Sequence, residues 1–508
     1  MTSFFATRSR PDRRRRRSAG FAVGLGVAGV LGLTPTAAAS TPPADRSAAT
    51  RRIDWHPCAE DTSADCGTLT LPMDWAHPRG RTFDMAVARR RAGDATARIG
   101  SLVTDFGGPG QSGVDAVVGR RTDVFPAEVR ARFDLVGFDA RGFGRSSPIT
   151  CDMPALGRQP AGDPGTDRGY AELVDYNRRM AANCRALTGS MYDHVDTRSI
   201  VRDVEALRRA LGDRRLTYWG ASYGTLIGQQ YAELFPGRIR AMTLDSNLDH
   251  AQDVRGYLDT SAAAVEDSFA GFAAWCGAST RCALHGRDVG TVFDDLYARA
   301  EAGTLYDPAT PANGVTPDFL VRQAQRAFAF PGWTGFADLL AAMDAAPPHP
   351  VSPNSPSLNG RWVGYDQKMF CSDRQLDLGD AGTVAATERR LARSAPHTRR
   401  SPVAWGVAMS CQGHPVALTN PPRRGHPART DTITLVNNLH DPNTPYTWAT
   451  SLALRLPGAV LVGSEAWGHG AIDKSPCVAT VTTRSLVDAH RPAPGTRCPA
   501  PAPTAAAH

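Results

Sequence analysis

The sequence predicts an α/β fold: a mostly parallel sheet with helices on both faces, interrupted by a large, mainly helical insertion. Three observations carry the prediction. Apolar runs of strand length alternate with segments of helical spacing through the first half of the chain. The alternation stops near Asn247 and resumes near Thr432. One apolar run, Leu216-Thr-Tyr-Trp, enters the turn Gly220-Ala-Ser222-Tyr-Gly224 and then a helical segment, a strand–turn–helix that exposes its serine.

Taken in order, Cys66-Gly-Thr-Leu-Thr-Leu-Pro and Thr82-Phe-Asp-Met-Ala-Val-Ala-Arg read as an antiparallel pair. Ser101-Leu-Val-Thr-Asp-Phe reads as a buried strand running into Gly107-Gly-Pro-Gly110. Phe133-Asp-Leu-Val-Gly-Phe-Asp139 is the next strand, followed by Ala-Arg141-Gly-Phe-Gly-Arg-Ser146. Ile200, Val201, Val204, Leu207 and Leu211 share one face of a helix. The serine strand and its helix follow, then the strand Ile239–Asp245. Residues 248–429 read as the insertion, with helices such as Thr291 to Ala302 and Thr316 to Ala329 separated by proline-rich loops. Thr432-Ile-Thr-Leu-Val-Asn and Ala459-Val-Leu-Val-Gly restore the strand rhythm. The implied organisation is a signal peptide (1–39), a linker (40–50), a first core part (51–247), the insertion (248–429), a second core part (430–498) and a disordered tail (499–508).

Composition narrows the function classes. The formal charge is +7, but Arg8, Arg10 and Arg13 to Arg17 against Asp12 place six of those charges in residues 1–39. The rest is nearly neutral and gives no argument for nucleic-acid or membrane-surface binding. The same segment carries an apolar run to Leu33 and Thr34-Pro-Thr-Ala37-Ala-Ala39, the pattern of a cleaved export signal. Its alternative is a retained membrane anchor, and general and twin-arginine export both stay open. The expectation is therefore an extracellular protein without stable membrane association once the signal is removed. Ten cysteines (Cys58, Cys66, Cys151, Cys184, Cys276, Cys282, Cys371, Cys411, Cys477 and Cys498) without a C-x-x-C pair favour disulfides over zinc. Neighbour pairing along the chain is the expectation, although sequence alone does not fix connectivity. No nucleotide, metal or flavin signature is present, so no cofactor is expected.

A serine hydroxyl needs a base to take its proton and a carboxylate to orient that base. In a fold of this rhythm the partners arrive in the order serine, acid, histidine. Ser222 is followed by Asp441 in His440-Asp441-Pro-Asn-Thr-Pro445, then by His469 in Trp467-Gly-His469-Gly470. All three lie at carboxyl ends of expected strands. Asp245 is a rival orienter and His440 a rival base, its side chain expected to point elsewhere. His414 and His426 read as cap or surface residues. The oxyanion of acyl transfer needs two backbone N–H donors, for which Tyr223 and Gly108 are the candidates; Pro109 has no N–H. The Asp139 to Ser146 stretch reads as a structural turn, since its serine lacks the Gly-x-Ser-x-Gly frame.

Together these motifs resemble the secreted actinobacterial tripeptidyl aminopeptidases, relatives of the proline iminopeptidases in the α/β-hydrolase superfamily. The resemblance spans nearly all of the chain after the signal. It rests on Cys66-Gly-Thr-Leu-Thr-Leu-Pro-Met-Asp, Gly107-Gly-Pro-Gly110, Asp139-x-Arg-Gly-x-Gly-x-Ser146, Gly220-Ala-Ser-Tyr-Gly224, Asp441-Pro-x-Thr-Pro445, Gly468-His-Gly and Cys477. It implies an α/β-hydrolase fold with a helical cap and a TAP-like carboxyl-terminal region. It also implies Ser222 as nucleophile, Asp441 as orienter, His469 as base and a peptide as substrate. An acidic cap residue would meet the substrate's amino group, with Asp373 one candidate. Two positions depart from the pattern: Phe106 stands where proline iminopeptidases often carry His, and His414 where similar chains often carry Trp. A carboxylesterase or amidase is the alternative activity, and a non-catalytic binding protein a third reading.

Overall fold

The computed structural model describes residues 52–500, apart from 153–158, 161, 352–356, 359–366 and 424–426. The expected signal peptide, the linker, His426 and residues 501–508 of the tail lie outside the described residues. The main sheet has ten strands. In chain order they are β1 (His56–Pro57), β2 (Asp65–Pro72), β3 (Thr82–Arg90), β4 (Gly100–Asp105), β5 (Phe133–Phe138), β6 (Leu216–Ala221) and β7 (Ile239–Asp245), then, after the insertion, β11 (Ile433–His440), β12 (Val460–Trp467) and β13 (Arg497–Cys498). Their spatial order is β1-β2-β3-β5-β4-β6-β7-β11-β12-β13. The pairs β1/β2, β2/β3 and β3/β5 are antiparallel, and every pairing from β5 onward is parallel.

Alternation along the central strands sends neighbouring side chains to opposite faces. Val103, Val136 and Tyr218 join the larger core under the helices Thr197–Ala210 and Tyr223–Leu234, while Leu102, Leu135 and Trp219 join a second core with Val129 and Leu486. Both faces are therefore covered, and β4 and β5 are buried along their whole length. Phe106 belongs to the second core: its ring packs on Phe125 and Trp219, with the Arg121 guanidinium over it.

Between β7 and β11 the chain forms the helices Val254–Ala278, Val289–Glu301, Pro317–Ala329, Trp333–Ala345, Gln367–Asp373, Ala381–Ser394 and Pro402–Ser410. A small sheet of β8 (Tyr306–Asp307), β9 (Thr310–Val315) and β10 (Ser357–Leu358) lies among them, within the expected mainly helical segment. Part of this segment builds its own core around Phe269, Phe272, Phe293, Phe328, Trp333 and Phe336. The rest, including Leu258, Phe370, Val384 and Trp405, packs into the larger core of the sheet. The helix Asp167–Thr188, between β5 and β6, also reaches into the insertion: Asn177 Nδ2 donates to the carbonyls of Met409 and Gln412 at 2.8 and 3.0 Å.

The ten cysteines pair as neighbours along the chain: 58–66, 151–184, 276–282, 371–411 and 477–498. Pro499, which the sequence places in the tail, is held by Ser475 Oγ, which donates to its carbonyl at 2.7 Å. The stretch from Asp139 to Ser146 is a structural turn. Arg141 is fully buried and donates to Asp203 at 2.7 and 2.6 Å, and to the carbonyls of Pro72, Met73 and His194. Ser146 Oγ accepts from Ala86 N–H at 2.9 Å.

Arg141→Met strands the Asp203 carboxylate in the core. Removing one partner of a buried pair costs about 3–5 kcal/mol. The expected outcome is a clearly lower midpoint in urea or thermal unfolding; a midpoint equal to wild type contradicts this account.

Candidate active site

Ser222 sits alone between the end of β6 and the helix that starts at Tyr223, with φ 53° and ψ −120°. A positive φ at a residue with a side chain is strained and persists only where the surroundings impose it. They do so here. A Cβ on Gly220 would lie 2.5 Å from the Gly224 carbonyl oxygen, and one on Gly224 would lie 2.6 Å from that of Asp105. Only glycine lets the strand, turn and helix pass so closely. The hydroxyl-bearing residue is only partly buried, at the carboxyl edge of the sheet.

Asp441 follows β11 directly and is almost fully buried. Its Oδ1 accepts from the N–H groups of Asn443 and Thr444 at 2.9 and 3.0 Å, and Thr444 Oγ1 donates to Oδ2 at 2.8 Å. His469 Nδ1 lies 2.9 Å from Oδ2 and 3.1 Å from Oδ1. Burial alone raises the Asp441 pKa, but the charge and hydrogen bond of His469, with the Thr444 donors, hold it below the usual carboxylate range. Burial likewise pulls His469 down, yet the charge and hydrogen bond of Asp441, and the charge of Asp245, raise it above its ordinary value. All hydrogen bonds of this imidazole among the described residues run through Nδ1. Nε2 is therefore uncommitted, and no hydrogen bond to Ser222 Oγ is formed.

Asp245 links the two halves of the site. Its carbonyl accepts from Ser222 N–H at 2.9 Å. Its carboxylate accepts from Ala471 N–H at 2.9 Å and Ile472 N–H at 3.0 Å, in the loop that carries His469. Ser246 Oγ takes the Gly470 N–H at 2.8 Å. Burial pushes the Asp245 carboxyl up to about 6, against those two backbone donors. Asp245 thus anchors the histidine loop and does not touch the imidazole in the orienting position. His440 points away: it pairs with Asp267 at 2.7 Å and stacks on Trp467 at 3.7 Å.

Asn438 Nδ2 donates to the carbonyls of Gly468 and Gly470 at 2.8 and 2.7 Å, and His469 N–H donates to Ala329 O at 2.8 Å. The sequence motifs predict neither contact. The adjacent Asn437-Asn438 pair inside an apolar strand was the available signal, because a buried amide demands partners.

On the glycine loop, Gly107 N–H is taken by Asp105 Oδ1 at 2.8 Å. Gly108 follows at φ 110°, on the loop that passes the serine turn. Tyr223 is the first residue of its helix, so its N–H has no partner within the helix. Its hydroxyl donates to Asp373 Oδ2 at 2.7 Å. Asp373 also accepts from Thr197 N–H and Oγ1 and from Asn420 Nδ2, and it is fully buried. That corrects the expectation of a substrate-facing carboxylate: both oxygens are filled by protein donors. His414 is half-buried, and burial lowers its pKa to about 4.

Comparison with known proteins agrees with this architecture. Residues 107–359 match the α/β-hydrolase fold family and residues 399–498 the family described as TAP-like protein. The serine protease Hip1 of Mycobacterium tuberculosis is 30% identical over 488 residues, covering 88% of this chain and 91% of that protein. The tripeptidyl aminopeptidase of Streptomyces lividans is 30% identical over 461 residues, covering 85% and 83%. Carboxylesterase B of Mycobacterium tuberculosis is 30% identical over 480 residues, covering 87% and 89%.

Gly107→Ala tests the tightness of the loop. The new Cβ would meet Ala221 O at 2.6 Å, Ser222 Cβ at 2.8 Å and Tyr223 N at 2.9 Å. The variant is expected to fold and to lose both turnover and labelling by a fluorophosphonate. Undiminished labelling of Ser222 contradicts the packing described.

Proposed function

The chain belongs to the α/β-hydrolase family as a serine hydrolase with a TAP-like carboxyl-terminal region, and from that premise we propose an exported exopeptidase that removes short peptides from the amino-terminal end of its substrates. The observation that carries the chemistry is the buried Asp441–His469 pair at 2.9 Å, anchored to the same residue, Asp245, as the strained Ser222 turn. Ser222 Oγ attacks the scissile carbonyl while His469 Nε2 takes its proton. The imidazolium is stabilised by Asp441. The oxyanion is met by the backbone N–H groups of Gly108 and Tyr223. His469 then protonates the leaving amine, and water releases the acyl group from Ser222 by the reverse proton path.

The peptidase reading is supported by the match of the carboxyl-terminal region and by relatives that include a tripeptidyl aminopeptidase and a serine protease. Access limited to chain ends is part of the proposal, supported by an insertion whose helix end at Ala329 touches the His469 backbone. Export is supported by five disulfides, which persist in oxidising compartments. No helix among the described residues is long and apolar enough to cross a membrane. The similarity to a carboxylesterase favours one second reading, hydrolysis of small esters by the same residues.

Tripeptidyl amides, single aminoacyl amides and short acyl esters, assayed side by side on the mature protein, separate these. Cleavage of the tripeptidyl amides is expected; hydrolysis confined to esters defeats the peptidase reading. Ser222→Ala is expected to lower kcat by about five to six orders of magnitude with an unchanged unfolding midpoint.

The pH profile follows from the charges. His469 acts as base only when neutral, and its pKa is raised above the ordinary 6.5. kcat/KM is therefore expected to rise with pH through a midpoint above that value. Asp441→Asn removes the main cause of the rise, so its midpoint shifts down, with kcat lowered by about four orders of magnitude. A wild-type midpoint below 6.5 contradicts the assignment.

A further inference from the structure

We propose that Asp373 is a positioning residue for the oxyanion site: by holding the Tyr223 side chain it fixes the direction of the Tyr223 backbone N–H. The inference rests on the reading of Ser222 as nucleophile and Tyr223 as oxyanion donor. Tyr223 begins its helix, where backbone N–H groups lack intrahelical partners. The peptide plane that carries this N–H is held on its carbonyl side, where Ser222 O accepts from Thr225 N–H at 3.0 Å and Thr225 Oγ1 at 2.6 Å, and on its other side by what grips the tyrosine. The grip is specific. The side chain is 1% exposed, its ring stands edge-on to Phe370 at 5.3 Å, and its hydroxyl lies 2.7 Å from Asp373 Oδ2 and 3.1 Å from Thr197 Oγ1.

Asp373 is itself held from several directions. Thr197 N–H donates to Oδ2 at 3.1 Å, Thr197 Oγ1 donates to the same oxygen, and Asn420 Nδ2 donates to Oδ1 at 2.8 Å. Its carbonyl lies 3.0 Å from His250 Nε2, and Cys371, two residues earlier, is bonded to Cys411. Packing alone does not call for this arrangement. A phenylalanine at 223 and a neutral residue at 373 would fill the same space without desolvating a carboxylate, and such replacements are often neutral or stabilising. Burial, joined by the charge of Asp196, raises the Asp373 carboxyl to about 6 against the donors Thr197, Tyr223 and Asn420. Above that value the carboxylate accepts a charge-assisted bond, shorter and stronger than a neutral one. The network spans four places in the chain: the serine turn, the start of the helix Thr197–Ala210, the insertion helix Gln367–Asp373 and the loop at Asn420.

The test compares Asp373→Asn and Tyr223→Phe with wild type in the mature protein, with rates expressed per active site titrated by a fluorophosphonate. A misaimed oxyanion donor acts on the transition state. The expected result in both variants is a kcat lowered about ten- to hundredfold with KM within about twofold. The inhibition constant of a peptide boronate, whose serine adduct presents a tetrahedral oxyanion, should weaken by the same factor as kcat/KM. A purely structural role predicts fewer titratable sites or a lower unfolding midpoint with normal turnover per site. Turnover per site at the wild-type level, or a loss carried by KM, overturns the proposal. If Asp373→Asn does not fold, Tyr223→Phe, which deletes one hydroxyl, decides alone. Ser222→Ala is measured beside them. Retained turnover there sinks the nucleophile assignment, and this inference with it. An inactive Ser222→Ala beside fully active Asp373→Asn and Tyr223→Phe overturns this inference only.

Discussion

The candidate site depends on one buried carboxylate that takes no part in proton transfer. Asp245, at the end of β7, holds the backbone N–H of Ser222 through its carbonyl and the N–H groups of Ala471 and Ile472 through its side chain. The strands that carry the serine and the histidine are not neighbours: β7 and β11 lie between β6 and β12. Something must fix the distance across that gap. A side chain with two acceptor atoms at the end of the intervening strand does so with hydrogen bonds to backbone, which tolerate little drift. Removing it would free two buried donors in the histidine loop, and an unsatisfied buried donor costs about 1–3 kcal/mol. The histidine loop would keep its bonds to Asn438, Ser246 and Ala329 but lose the two that tie it to the residue holding the nucleophile's backbone.

The insertion acts on the site through hydrogen bonds to its backbone and side chains. The carbonyl of Ala329, at the end of an insertion helix, takes the His469 N–H, and Gln325 Nε2 donates to Pro442 O and Asn443 Oδ1, next to Asp441. The segment has an aromatic core of its own, which stiffens the helices that deliver these groups. Trp467 belongs to both sides: it ends β12, stacks with His440 and meets Trp333 of the insertion edge-on. A shift of the insertion would therefore be felt at the imidazole without any contact to bound substrate.

Much of this was legible in the sequence because it is local. Strands of the sheet interior must be apolar on both faces, a sharp turn must have glycine on either side of its serine, and topology orders the partners. What escaped is tertiary. The helix Asp167–Thr188 buries Leu173, Tyr176, Met180 and Cys184, but the same stripe holds Asn177, whose amide N–H groups are met by carbonyls from the insertion. Read alone, the segment is too polar to declare itself. The strand β9 is short, exposed over its first half and contains proline and glycine, so it shows no apolar alternation. Asp245 and Asp373 read from sequence as a rival orienter and a substrate ligand, and each has another role in the fold. A carboxylate near a candidate site reads as an orienter or a ligand, and only the approach of distant backbone reveals that its oxygens are already taken.

Those buried carboxylates also differ in charge state for a physical reason. Burial raises the pKa of Asp441, Asp245 and Asp373 alike, and the outcome depends on what stands against it. Asp441 faces an imidazole whose charge and hydrogen bond outweigh burial, so it falls below the usual range. Asp245 and Asp373 are met mainly by neutral donors and rise to about 6. The linkage signs follow. Between the ordinary 3.8 and about 6, the folded state holds protons on Asp245 and Asp373 that the unfolded chain has released, so their contribution to stability falls as pH rises through that window. Asp441 works the other way: its contribution is present above 3.8 and lost as pH falls through its lowered folded value. At the pH where His469 is neutral, the fold therefore carries two ionised anchors at some expense to its stability. A charged acceptor holds backbone and phenol donors more firmly than a neutral one, which is the gain set against that expense.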